Sequence, residues 1–370
     1  MTVNIFVIIL ISYFLLGCDQ VGNAGSTKVF SQHAPPIQEP PFALKNFYKG
    51  VSWVGGQRPI PDSALEAAQD LGINWLGLTP FGFMVDHKSP SIRLNYRPKS
   101  KSKYDRALRE TIKKAKKIGF RVMLKPHLWL TNSVEKGWIG IINFKSVAEW
   151  QQWERDYTKF ILHYARLAQE EGVNIFCIAT ELSKPVRSRP FYWKALIAEV
   201  RKVYSGKLTY AANWHEDYDL INLWLDLDYI GINAYFPLTD QEAPSVSDII
   251  AGWKPHIDRI SQLSHQYSKP VIFTEVGYKN SPGTTIRPWE WPKNNRQAIT
   301  KVGGGGNDLG QQEQVNAYEA LFRTVGNLSW FRGLFIWKWF SNPDHITQTL
   351  IEFSPQNKEA EQVLKRWYSK

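Results

Sequence analysis

Cysteine is scarce: the 370-residue chain has two, Cys18 and Cys177. That usage suggests no metal site, and the histidines form no HxH or HExxH pattern, so neither a metal nor another cofactor is expected. No glycine-rich phosphate loop follows any strand-like run, and no Ser-His-Asp order competes for a site. A membrane-spanning length is missing too. The apolar stretch within MTVNIFVIILISYFLLG (1–17) is short for a span and has the length of a signal h-region. Acidic residues are in deficit, 34 against 45 Lys and Arg, which gives a net charge of +11. The basic residues are dispersed rather than clustered. In KSKYDRALRETIKKAKK (101–117) they alternate with apolar residues at helical spacing, the mark of a solvated helix face rather than a nucleic-acid site. The charge would also favour an anionic membrane surface.

The leader ends in LLGC, which resembles the lipobox of bacterial lipoproteins, where the Cys is lipidated and becomes the mature N-terminus. Cys18 is therefore the expected point of attachment to a lipid bilayer. The bacterial cell envelope, on its periplasmic or outer side, is the expected location. The leader lacks the usual Lys or Arg, so an ordinary signal peptide or an uncleaved anchor stays open. With Cys18 lipidated, Cys177 in NIFCIA has no partner and is expected to be a small buried hydrophobe. Residues 18–44, polar and then proline-rich, read as a tether, and residues 45–370 as one domain.

Aromatic residues are abundant. Sixteen Trp exceed what a core requires, and surplus rings suit clefts that hold the apolar faces of sugars. Apolar, β-branched or aromatic runs recur along the domain at 49–55, 73–80, 121–129, 174–182, 207–214, 227–236, 269–278 and 332–340. Amphipathic stretches separate them; in ALEAAQDL, Leu65, Ala68 and Leu71 share one face. Gly72, Gly119, Gly172 and Gly206 stand just before runs, as helix C-caps would, so helix-to-strand links are short. The links at 80–102, 130–145 and 279–310 are long. Eight runs with this asymmetry predict an α/β fold, a (β/α)8 TIM barrel working at its C-terminal face. An open doubly wound sheet is the alternative.

In such a barrel the strand ends share one site. Those ends present Trp53, His127, Trp129, Glu181, Asn213, Trp214, His215, Asn233, Tyr235, Glu275, Trp337 and Trp339. Glu181 in ATEL and Glu275 in FTEVGY both follow an apolar run and a Thr, on the fourth and seventh strands. A carboxylate there is costly unless paired or used. Two carboxylates facing each other across a cleft suit glycosidic bond hydrolysis, one as a protonated acid and one as an anion. Their separation distinguishes retention from inversion. His127 reads either as a structural hydrogen-bonding residue or as a partner of a sugar hydroxyl. Trp53, Trp129 and Trp214 read either as rim packing or as sugar stacking. Lys125 is expected to snorkel outward and is given no role. Gly277 is expected to let the chain turn into the next loop.

The segments KGVSW, KPHLW, ATEL, NAYFP, FTEVGY and the Trp-rich eighth run resemble glycoside hydrolase family 113 of clan A, whose members are mainly β-1,4-mannanases. The resemblance covers residues 47–340. It implies a retaining mechanism with Glu181 as acid/base and Glu275 as nucleophile. Tyr235 would orient Glu275, and Trp337 would floor the reactive subsite. Thr180 stands where many clan A families have Asn, as it does in family 113, which leaves Asn213 and His127 as candidates for the sugar 2-hydroxyl. The implied partner is a β-linked oligo- or polysaccharide, cut by a monomer. Another β-glycan as substrate, or a surface lipoprotein that binds glycan without cutting it, are the alternatives.

Overall fold

The computed structural model describes residues 46–54, 56–94, 102–132, 137–215, 217–290, 306–343 and 351–369. The leader, Cys18 and the tether lie outside the described residues. Eight strands close into a parallel barrel in chain order: β1 Tyr48–Val54, β2 Trp75–Thr79, β3 Arg121–Leu124, β4 Ile175–Thr180, β5 Lys207–Asn213, β6 Ile230–Asn233, β7 Val271–Val276 and β8 Phe331–Trp339. β8 pairs with β1 to complete the ring, with Val51 opposite Ile336. Each predicted run supplies one barrel strand. β2, β4, β6 and β7 are buried along their whole length, as strands covered on both faces must be.

Helices cover the outside. α1 is Asp62–Asp70, α2 Lys103–Lys117, α3 Val147–Glu170, α4 Ser183–Ser188, α5 Pro190–Val203, α6 Val246–Tyr267, α7 Gly306–Val325 and α8 Glu359–Tyr368. Their starts are set locally. Ser146 and Glu149 form a reciprocal capping box on α3, as do Ser245 and Asp248 on α6. α3 buries Trp153, Tyr157, Phe160 and Tyr164 along one stripe, while α2 buries Ala107, Ile112 and Ala115 and leaves most of its lysines toward solvent. Trp75, Met123, Ile175, Ile272 and Phe335, all on barrel strands, form an inner cluster separate from the large strand–helix core.

Three expectations need correction. Gly72, Gly119 and Gly172 do adopt positive φ, at 80°, 97° and 62°, but Gly206 does not: α5 ends at Val203, and an extended Tyr204 leads on to the next strand. Gly277 also keeps a negative φ. It is needed because a Cβ there would come within 2.3 Å of the Trp337 carbonyl oxygen, so it allows β7 and β8 to approach closely. The run 121–129 is two strands, not one. The barrel takes Arg121–Leu124, and His127–Leu130 joins a three-stranded outer sheet with Phe81–Met84 and Arg93–Leu94. That sheet pairs Phe81 with His127 and Phe83 with Trp129, and so brings the β2 and β3 loops over the barrel mouth.

Candidate active site

A cleft of about 1010 Å³ opens over the C-terminal ends of the strands. β4 is wholly buried up to Thr180, and Glu181 is the first residue beyond it. Glu181 has φ of 51°, a left-handed conformation that residues with a Cβ rarely adopt. Its N–H donates to the Ala211 carbonyl (2.8 Å), which fixes this turn to β5 and aims the carboxyl into the cleft. Glu181 Oε1 accepts from Asn213 Nδ2 at 3.0 Å and from Asn233 Nδ2 at 3.1 Å. Each amide is oriented from behind. Asn233 Oδ1 accepts from the Thr274 hydroxyl (2.9 Å), and Asn213 Oδ1 from the His215 N–H (2.8 Å). Burial, and then the charge of Glu275, push the Glu181 carboxyl up to about 7, against the opposing pull of Asn233, Lys125 and Asn213.

Glu275 lies on β7 with 5% of its surface exposed. Its two oxygens have separate partners. Oε2 accepts from the Tyr235 hydroxyl at 2.8 Å. Oε1 is in contact with Lys125 Nζ and lies 3.6 Å from His127 Nε2. Lys125 is completely buried; its ammonium also donates to the Thr274 carbonyl (3.1 Å) and lies 5.7 Å from the Trp337 ring. The expected outward snorkel is therefore wrong. The barrel interior at this level holds a carboxylate, and the lysine turns inward to pair with it. His127 is stacked parallel to Trp337, with centroids 6.2 Å apart. Burial, and then the charge of Lys125, hold the imidazole well below its ordinary value, so it is neutral, and its buried Nε2 has no hydrogen bond. Burial, reinforced by Glu275, likewise keeps the Tyr235 phenol protonated.

Of the residues singled out in the sequence, Glu181, Glu275, His127, Trp129, Asn213, Tyr235 and Trp337 all line this cleft. Trp53 and Trp214 do not. Trp53 is 2% exposed, with Nε1 donating to Ser341 Oγ (3.0 Å), and faces a separate cavity of about 420 Å³. Trp214 backs the cleft wall instead, packed on Trp289 at 4.7 Å between centroids. His215 and Asn233, named as strand-end residues, line the cleft as well. The sequence reading gave no site role to Lys125, Phe81, Trp138, Trp289 or Phe353. The last four line the cleft from the long strand-to-helix loops, which is where a barrel's variable walls are built. A cis peptide, Trp337–Lys338, also lies at this mouth. Among the described residues no group of three or more His, Cys, Asp or Glu could hold a metal, and Cys177 is buried, its Sγ toward the Ala179 carbonyl.

A closed (β/α)8 barrel whose mouth holds two glutamates in unlike settings, ringed by aromatic side chains, is the architecture of a barrel glycoside hydrolase. The family model of Glycoside Hydrolase Family 113 matches residues 57–358, and the chain belongs to that family. Solved structures agree. A complex of a family 113 β-1,4-mannanase superposes with a TM-score of 0.71 at 25% identity, over 88% of this chain and 99% of the other. The family 113 β-mannanase AaManA from Alicyclobacillus acidocaldarius, in complex with ManMIm, also gives 0.71 at 25% identity, over 89% and 98%. A family 5 mannosidase from Rhizomucor miehei shares the fold at 12% identity, with a TM-score of 0.57 over 87% and 92%. No curated protein matches by sequence.

Proposed function

We propose that the chain is a retaining hydrolase of β-1,4-linked mannan or manno-oligosaccharides, with Glu275 as nucleophile and Glu181 as acid/base. The observation that carries this reading is the contrast between the two carboxyls. Glu181 is raised to about 7 and can hold a proton at neutral pH. Glu275 meets a buried ammonium on one oxygen and a phenol on the other. One is equipped to give a proton and the other to act as an anion.

In the first step a Glu275 oxygen attacks C1 of the sugar lying over Trp337. The glycosidic C1–O bond breaks as the C1–Glu275 ester forms, and Glu181 passes its proton to the departing oxygen. Glu181, now a carboxylate, then takes a proton from water as the water oxygen attacks C1. The ester breaks, and both glutamates regain their starting states. Lys125 and Tyr235 hold Glu275 in place through both steps. The substrate assignment rests on family membership and on the likeness to β-1,4-mannanases.

The test is a panel of β-glycans assayed for new reducing ends, with Glu275→Ala beside the wild type. Release from mannan by the wild type alone is expected. Azide should rescue the variant by forming a glycosyl azide of inverted configuration. Release from a β-glucan but not from mannan would overturn the substrate, and near-normal turnover by Glu275→Ala would overturn the mechanism.

The LLGC sequence further supports lipidation at Cys18, a tether to residue 44 and a place in the cell envelope. Cys18→Ala should move the full-length protein from the membrane fraction to the soluble one; unchanged fractionation and no lipid-modified N-terminal peptide count against the anchor.

A further inference from the structure

The wall that follows β7 is pinned at two places. Glu313 of α7 holds its first part: Oε2 accepts from the Gly283 N–H (2.8 Å), and Oε1 accepts from both the N–H and the hydroxyl of Thr285 (2.9 and 2.6 Å). Lys279 holds the second part. Its buried ammonium donates to the carbonyls of Arg287 and Pro288, each at 3.1 Å, and lies 5.0 Å from the Phe353 ring. The next residue is Trp289, which lines the cleft with 40% of its surface exposed and is backed by Trp214. A lysine buried this deeply is costly unless it is used. Here the two donated bonds close the turn that presents one exposed ring.

We propose that Lys279 is a positioning residue: it fixes Trp289 as the stacking platform for the sugar on the leaving-group side of the cleft. This rests on the reading of the site as a glycan hydrolase. The side of the cleft follows from the chain. Glu181 is hydrogen-bonded to Asn213 at the end of β5, Trp214 is the next residue, and Trp289 packs on it. The reacting sugar lies over Trp337 beside Glu275. Its leaving oxygen faces Glu181, and the following sugar extends past Glu181 toward the β5 flank. A flat ring fixed there stacks on the apolar face of that sugar.

Two measurements test this, on the full-length chain. Hydroxyl-radical footprinting needs no substrate: in Lys279→Met, labelling of Trp289 is expected to rise, while that of Trp129, exposed on the other wall, stays unchanged. Unchanged Trp289 labelling in a folded variant overturns the proposal. Kinetics then compare mannohexaose with an aryl β-mannobioside, which places no sugar beyond the scissile bond. Lys279→Met and Trp289→Ala should each raise KM for mannohexaose roughly three- to tenfold, the value of one aromatic contact. Both should keep kcat, and both should leave the aryl substrate within about twofold. The double variant should show little beyond either single change. Additive losses, or equal losses on the two substrates, overturn the proposal. Trp289→Ala alters an exposed ring, so it keeps the kinetic arm decisive if Lys279→Met folds poorly. Inactivity of the wild type on mannohexaose counts against the mannan reading instead, and the footprint still decides the role of Lys279.

Discussion

The ammonium of Lys125, without exposed surface, is in contact with Oε1 of Glu275 at the bottom of the cleft. The pair links β3 to β7 across the barrel, and the same ammonium lies against the Trp337 ring. Glu275, Lys125 and the Trp337 ring are thereby one packed unit. Lys125→Met would leave Glu275 buried with only Tyr235 as a firm donor. Such an uncompensated carboxylate costs about 3–5 kcal/mol of stability. It also loses its fixed orientation, so kcat should fall by about 100-fold or more while KM moves little. Steady-state kinetics on the folded variant decide; a kcat within about threefold of wild type would show that Lys125 is mere filling.

The proposed acid, Glu181, carries a pH prediction. Burial and the neighbouring Glu275 charge raise Glu181 to about 7, so it is protonated below that pH and ionised above it. The proposed first step needs the proton. kcat/KM should therefore fall on the alkaline side with a midpoint near 7. A substrate with a good leaving group needs less protonation, and its profile should stay flat further into alkali. A profile for natural oligosaccharides with no descending limb between about pH 6 and 8 argues against Glu181 as acid.

Much of the fold was legible because a barrel repeats a simple local pattern. Each strand is short and apolar, and all but β5 lead into a helix with a clear period. Both glutamates could be found because a carboxylate ending an apolar run is improbable without a use. Lys125 was misread for a related reason. Four methylenes at a strand end suggest an outward snorkel, and nothing local shows that a carboxylate 150 residues later lies beside it. The split of run 121–129 was hidden because KPHLW is as apolar and extended as the strand before it; only pairing with Phe81–Met84 sets it apart. Trp53 and Trp129 look alike in sequence, and only the outer sheet decides that one is core and the other is rim. The wall ring Trp289 lies in a long loop with no periodicity to place it.

Tyr235 donates to Glu275 Oε2 from beyond β6. Tyr235→Phe keeps the ring, which packs edge-on against Phe353 with centroids 6.0 Å apart, and removes only the hydroxyl. A hydrogen bond to a charged acceptor contributes about 1.5–3 kcal/mol. kcat of the folded variant should fall about 10- to 100-fold, alongside a stability loss no larger than that hydrogen bond. An unchanged kcat in the folded variant would show that Tyr235 acts through packing alone.

The two tryptophans provide a contrast. Trp53 is buried and hydrogen-bonded to Ser341, whereas Trp129 is 57% exposed on the cleft wall. Trp53→Ala should cost about 3–5 kcal/mol, as a large core truncation does, with KM of the remaining folded enzyme close to normal. Trp129→Ala should leave stability within about 0.5 kcal/mol and weaken oligosaccharide binding. Denaturant titration paired with KM separates the two, and the reverse pattern would contradict their placement.

Glu181 also sets a stability cost that its own removal should reveal. Its carboxyl is near 7 in the folded protein and near its ordinary value of 4.5 when unfolded. Because the folded value is the higher, the unfolded chain gives up this proton first as pH rises, and folding is penalised progressively between the two values. At pH 8 the full penalty applies, up to about 3 kcal/mol; below pH 4.5 there is none. Glu181→Gln removes the ionisation but keeps an oxygen that can accept from Asn213 and Asn233. The variant should hydrolyse natural substrate poorly and yet melt higher than wild type at pH 8, by roughly 2–5 °C, with the two converging near pH 4.5. Melting curves across that range give the answer. A variant no more stable at pH 8 than at pH 4.5, relative to wild type, would mean that Glu181 is solvated well enough to ionise freely, and the case for it as the proton donor would fall with it.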